Sequence, residues 1–157
     1  MKPQIGITEE HLKESISYLS SILANEMTLY IKLRKFHWNV SGESFMELHK
    51  LFESQYKQLE ESIDEIAERV SKLGGNTIGT MEEFSGLTIL LESPGKYPSQ
   101  AEMLRELLED HETVIFQLRN DIEVCTKKIG DAGTADFLTG LMENHETMAW
   151  VVRRYLS

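Results

Sequence analysis

The chain is poor in the residues that punctuate or staple a fold. Of its 157 residues only one is cysteine, Cys125, so no disulfide can form within the chain. A reducing, cytoplasmic setting is the expectation. Three prolines and ten glycines are too few for a disordered chain or a strand-and-turn fold. No stretch approaches the ~18–20 apolar residues that a membrane-crossing helix needs. The opening "MKPQIGITEEHLKE" has no apolar core of a secretory leader, so none is expected. Positive charge is scarce: 16 Lys and Arg stand against 26 Asp and Glu, a formal net charge of −10. That balance disfavours a phosphate backbone, which is bound by exchanging counterions for Lys and Arg, and favours cations.

What is present is helical periodicity, enough for one domain over residues 1–157. Four long segments carry it. The first opens at "ITEE" with Thr8 as N-cap. Its apolar stripe runs Leu12, Ile16, Leu19, Leu23, Met27, Tyr30, Leu33 and continues to His37, where "NVSG" stops it. The second opens with "SFME", a capping box of Ser44 and Glu47, and runs to "GGN" at 74–76. A connection of about 25 residues follows, long for a compact domain, and "TMEEFSGL" within it is expected to form a short helix. The third helix opens with the capping box "SQAE" (Ser99, Glu102) and runs to Gly130. The fourth starts after "GDAGT", capped by Asp131 or Thr134. The expected fold is all-α: a four-helix bundle with its long crossover between the second and third helices.

The second helix has an acidic face apart from its core face. At 100° per residue, with His49 at zero, Glu53 falls at about 40°, Asp64 at about 60° and Glu68 at about 100°, whereas the apolar stripe centres near about −65°. A solvated charged face is the plain reading. A metal site is the sharper one, but His49 and Asp64 lie about 22 Å apart along the axis, and metal–ligand bonds are only about 2.0–2.2 Å long. One helix cannot serve one ion from both ends. Either there are two weak sites, or a second copy of the helix lies antiparallel, so that His49 and Glu53 of one chain meet Asp64 and Glu68 of another. His37 would close that shell. Di-iron bundles built within one subunit use Glu-x-x-His. No histidine here has Glu three residues before it.

The stretch "KFHWNVSGESFMELHKLFE", followed by "IDEIAERV" and by "GDAGTADFL…W" at 130–150, resembles the Dps family, miniferritins that form hollow shells of twelve subunits. The similarity covers nearly the whole chain. It implies a ferritin-like fold and a ferroxidase site between subunits: His37, His49 and Glu53 from one, Asp64 and Glu68 from its neighbour. Many members have Asp where this chain has Glu53. Family members oxidise Fe(II), usually with peroxide preferred over dioxygen, and store ferric mineral, which protects against oxidative damage. The donor set suits iron and also Zn, Co or Mn. Trp38 is expected to act as an electron donor or radical sink, or equally as an interface aromatic. Acidic pores lead iron inward in the family; Asp136 matches best, then Asp131.

The alternative function is that of a DNA-compacting protein with secondary iron chemistry. Members that bind DNA usually carry Lys/Arg-rich tails. Here Lys2, Arg153 and Arg154 are all the termini offer, and twelve chains would carry about −120, so DNA binding is not expected. A plain helical oligomer with a solvated acidic face is the third reading. Among other residues, His145 is expected to be a hydrogen-bonded core or interface histidine. His111 in "EDHE" and His11 are expected at the surface. Cys125 is expected to be a small buried apolar residue.

Overall fold

The computed structural model describes residues 2–157. Helix α1 spans Glu9–Asn39, α2 Phe45–Lys72, the short α3 Met81–Leu87, α4 Gln100–Val124 and α5 Ala132–Leu156. Helix α4 ends in a wide π-helical turn, Cys125–Ile129. Gly130 then takes a left-handed φ of 73°, which a residue with a Cβ adopts only at a cost. Among the described residues no helix is long and apolar enough to cross a membrane.

Local chemistry sets the helix ends. Thr8 accepts the His11 N–H at 3.2 Å and caps α1. Ser99 with Glu102 forms the expected capping box on α4, and Thr80 with Glu83 forms a second one on α3. Asp131, not Thr134, caps α5. The box expected at Ser44 is absent: its side chain makes no cap bond. Ser44 sits at φ −93°, ψ 26°, outside the extended region that aims a cap oxygen at the first turn. The chain curls into α2 instead, and the Phe45 N–H bonds to the Gly42 carbonyl at 3.1 Å.

Helices α1 and α2 form one antiparallel hairpin, α4 and α5 the other. Between them, Glu14 pairs with Lys128, Asn25 with Gln117 and Lys32 with Asp110. Numbers rise along α1 as they fall along α4, so those two are antiparallel, and α2 therefore runs parallel to α4. Only a crossover the length of the bundle allows that, which accounts for residues 73–99. Leu19, Leu33, Phe52, Leu59, Leu107, Leu118 and Leu138 lie fully buried between the hairpins. Each such side chain stabilises the fold by roughly 1.5–3 kcal/mol.

The core is not wholly apolar. His145 Nε2 lies 2.5 Å from Glu26 Oε1, and His145 Nδ1 lies 2.9 Å from His111 Nδ1. His111 Nε2 faces Gln55 Oε1 at 3.4 Å, while the Gln55 amide donates to the Met148 carbonyl at 3.3 Å. All four helices contribute, and all four side chains are buried. The expected place of His145 is thus the observed one. His111, expected at the surface, is fully buried, because it continues the line Leu104, Leu107, Val114, Leu118 on the inner side of α4.

Candidate metal centre

His37 closes the last turn of α1, and His49 lies in the second turn of α2. The reversal between them lays the two imidazoles face to face, centroids 3.7 Å apart and planes 18° from parallel. Each ring then bonds to the other residue's backbone: His37 Nδ1 to the His49 carbonyl at 2.7 Å, His49 Nδ1 to the His37 carbonyl at 2.9 Å. The His37 carbonyl belongs to the final turn of α1, where helical partners run out. A carbonyl oxygen only accepts, so both Nδ1 atoms donate. In the neutral rings the lone pair is left on Nε2, the arrangement typical of metal-binding histidines, whose second nitrogen is tied down by an acceptor. Phe45 flanks His49 and Tyr56 flanks His37, at centroid distances of 5.2 and 5.3 Å.

Glu53 lies one turn beyond His49 and is half-buried. Lys57 bonds to it at 2.5 Å. That hydrogen bond, then the lysine charge, and more weakly His37 and His49, hold its carboxyl below the usual range, so it is ionised near neutrality. Asp64 and Glu68 stand exposed farther along the same helix, with Lys72 bonded to Glu68 at 2.9 Å. The structure thus brings His37 and His49 together, sets Glu53 next to them, and leaves Asp64 and Glu68 elsewhere. Among the described residues, no three His, Cys, Asp or Glu side chains of one protomer converge closely enough to hold a metal ion.

The remaining candidates divide. Trp38 is 67% exposed and turned to solvent. Asp136 is exposed at the start of α5. Asp131, paired with it as a pore acid, is buried instead. Its carboxylate accepts from Thr134 N at 3.0 Å, from the Thr134 hydroxyl at 2.5 Å, from Ser15 at 2.9 Å and from Arg69 at 3.3 Å. Those donors hold its carboxylate inside the protomer. Gly133 makes room for Arg69: a Cβ there would stand 2.8 Å from its Nη2. The clamp ties α2, next to Glu68, to the start of α5. Around His37, sequence reasoning passed over Tyr30, Arg34 and Tyr56. Their only signal was helical spacing to the histidines.

The fold and this donor set define the class. A ferritin-like domain model matches residues 16–157, and the chain is a ferritin-like protein. Within that class it belongs to the Dps family. It is 34% identical over 146 residues to DNA protection during starvation protein 2 of Bacillus anthracis, covering 92% of this chain and 98% of that one. A low temperature-induced protein of Nostoc is 45% identical over 152 residues, covering 97% and 85%. Among solved structures, DpsC from Streptomyces coelicolor superposes with a TM-score of 0.95 at 30% identity, covering 100% of this chain and 91% of that one. Dps from Staphylococcus aureus does so with 0.87 at 34%, covering 92% and 96%.

Proposed function

We propose that this chain is the subunit of a twelve-membered shell that takes up Fe(II), oxidises it with peroxide in preference to dioxygen, and stores the ferric product. The site would be shared: His37, His49 and Glu53 of one subunit, Asp64 and Glu68 of the partner subunit. The observation that carries this reading is the reciprocal Nδ1 bonding of His37 and His49, which fixes both free Nε2 atoms on a protomer whose described residues form no complete cage.

Iron is the cargo here. Two neutral imidazoles and three carboxylates would surround it with negative charge. Such a set favours Fe(III) over Fe(II), because the extra positive charge gains from each carboxylate. The donors are borderline and hard, suited to iron and also to Zn, Co or Mn. Contact with DNA is no part of the proposal, although relatives bear DNA-protection names; a net charge of −10 per chain opposes it.

The test is a paired measurement. Fe(II) and peroxide added to the wild-type protein should give growing ferric absorbance. The double variant Asp64→Ala, Glu68→Ala should elute at the wild-type size and lose that absorbance growth. A variant that oxidises iron as fast as wild type ends the assignment.

A further inference from the structure

Glu68 has little of its own to hold it in place. It is exposed, and its one hydrogen-bond partner among the described residues is Lys72, which rides on the same helix and cannot fix it against the rest of the fold. Where its carboxylate stands therefore depends on the roll of α2 about its axis. A roll of about 20° carries a glutamate carboxylate, roughly 6 Å from the axis, by about 2 Å. A whole metal–ligand bond is only about 2.0–2.2 Å long. Ile66 and Val70 bury the inner side of these turns, but apolar burial is non-directional. Directional ties are few. Among the described residues, side chains of α2 bond to α5 and its cap at two places. Gln55, just past Glu53, donates to the Met148 carbonyl. Arg69, next to Glu68, reaches the start of α5. Its Nε and Nη2 donate to the Thr134 hydroxyl oxygen at 3.2 and 3.1 Å, and Nη2 also donates to Asp131 at 3.3 Å. These acceptors are themselves fixed. Both residues are buried, the Thr134 hydroxyl donates to Asp131, and Ser15 of α1 donates to the same carboxylate. A planar, forked cation seated on two held acceptors resists roll in a way that a single ammonium does not.

We propose that Arg69 is a positioning residue: its clamp on Thr134 and Asp131 sets the roll of the last turns of α2 and so places Glu68, and Asp64 one turn before it, for the histidine half of the shared site. The proposal rests on the shared-site reading. It separates the two ends of one helix. The Gln55 tie serves the end that bears His49 and Glu53, and the Arg69 tie serves the end that bears Asp64 and Glu68, about 21 Å away. Loss of the clamp therefore harms a subunit as a donor of acids and leaves it competent as a donor of histidines. A purely structural role would harm it as both.

The experiment reads the binding of Co(II), which the donor set suits, from its visible absorbance, and so needs no iron oxidation. Assemblies are refolded from two full-length chains. One carries His37→Ala and His49→Ala and can give a partner only acids. The other carries Asp64→Ala and Glu68→Ala and can supply the histidines but not those acids. Arg69→Lys, which keeps a charge beside Asp131 and loses the fork, is added to one chain or to the other. In the acid-giving chain it should weaken Co(II) binding at the restored sites about tenfold, the lower end of the range for groups that orient metal ligands. In the histidine-giving chain it should change nothing. Thr134→Val in the acid-giving chain should act as Arg69→Lys does, and it carries the test if Arg69→Lys chains do not assemble. Thr134→Ser retains the hydroxyl and should bind as the parent mixture does. Equal weakening from either chain, weakening from neither, or a Thr134→Ser mixture as weak as Thr134→Val each overturns the proposal. Absent Co(II) uptake by the parent mixture instead points to failure of the shared-site reading.

Discussion

At the scale of single residues, the buried chain from Glu26 to Gln55 permits a proton inventory. The Gln55 amide donates to Met148, so its oxygen faces His111 Nε2 as an acceptor and that nitrogen carries a proton. Burial, and then the neighbouring His145, push the His111 imidazole well below its ordinary range, so it stays neutral. Its Nδ1 therefore accepts from His145 Nδ1, and His145 Nε2 lies 2.5 Å from Glu26 Oε1. The sign of the pH effect follows. The unfolded chain protonates His111 below about pH 6.5 and the native chain does not. The stability tied to neutral His111 is therefore present above that pH and lost as pH falls. Asp121 works the other way: burial raises its carboxyl to about 6, so the native state takes up a proton first. Comparing wild type with His111→Gln at each pH cancels Asp121. The wild-type advantage in unfolding free energy, read from denaturant titrations, should shrink from pH 7.5 to pH 5, with a slope approaching about 1.4 kcal/mol per pH unit. A constant difference would mean that native His111 takes up its proton at the same pH as in the unfolded chain. Cys125, at the far end of α4, is buried as well. Burial, then Asp131 and Asp121, raise its thiol to about 11, so it is a packing residue and not a nucleophile.

At the scale of elements, the helix starts differ in a way that mutation can read. The Ser99 hydroxyl accepts the Glu102 N–H, and Glu102 reaches back to the Ser99 N–H at 2.8 Å. Ser44 makes no such bond. Ser99→Ala should therefore cost about 1 kcal/mol in denaturant unfolding, and Ser44→Ala should stay within about 0.5 kcal/mol of wild type, both at one protomer concentration. Equal losses would show that the two serines do the same work. This contrast also marks what can be read from a sequence. Periodicity and cap chemistry are local, so the four long helices, the short α3 and the Ser99 box were legible. Whether Ser44 caps α2 depends on the backbone of the Gly42 turn, which no motif encodes. His111 was misplaced because the acids of "EDHE" suggest a solvated stretch, whereas the inner line of α4 runs through Leu107, His111, Val114 and Leu118. The acidic flank of α2 was readable as angles. The crossed carbonyl bonds of His37 and His49 were not, since they exist only once the chain has reversed at Val40–Ser44.

At the scale of the molecule, the question is whether the two halves of the candidate site come from different chains, and symmetry turns that into a count. Take subunits of Type A, with His37→Ala and His49→Ala, and Type B, with Asp64→Ala and Glu68→Ala. Neither alone has a complete donor set. In a two-fold pair of one A and one B, one site joins the damaged histidines to the damaged acids and keeps only Glu53 of the five donors. The other joins the intact histidines of B to the intact acids of A and is whole. Random mixing makes about half of the pairs mixed, and each mixed pair regains one site of two. Unfolding the two variants together and refolding them should restore about a quarter of the wild-type rate of ferric absorbance growth per subunit. Mixing assembled A with assembled B, without refolding, should restore none. If each subunit instead carried its own site, refolding would recover nothing, because every chain lacks part of the set. Partial recovery on refolding alone is therefore a signature that a merely weakened site in each variant cannot imitate.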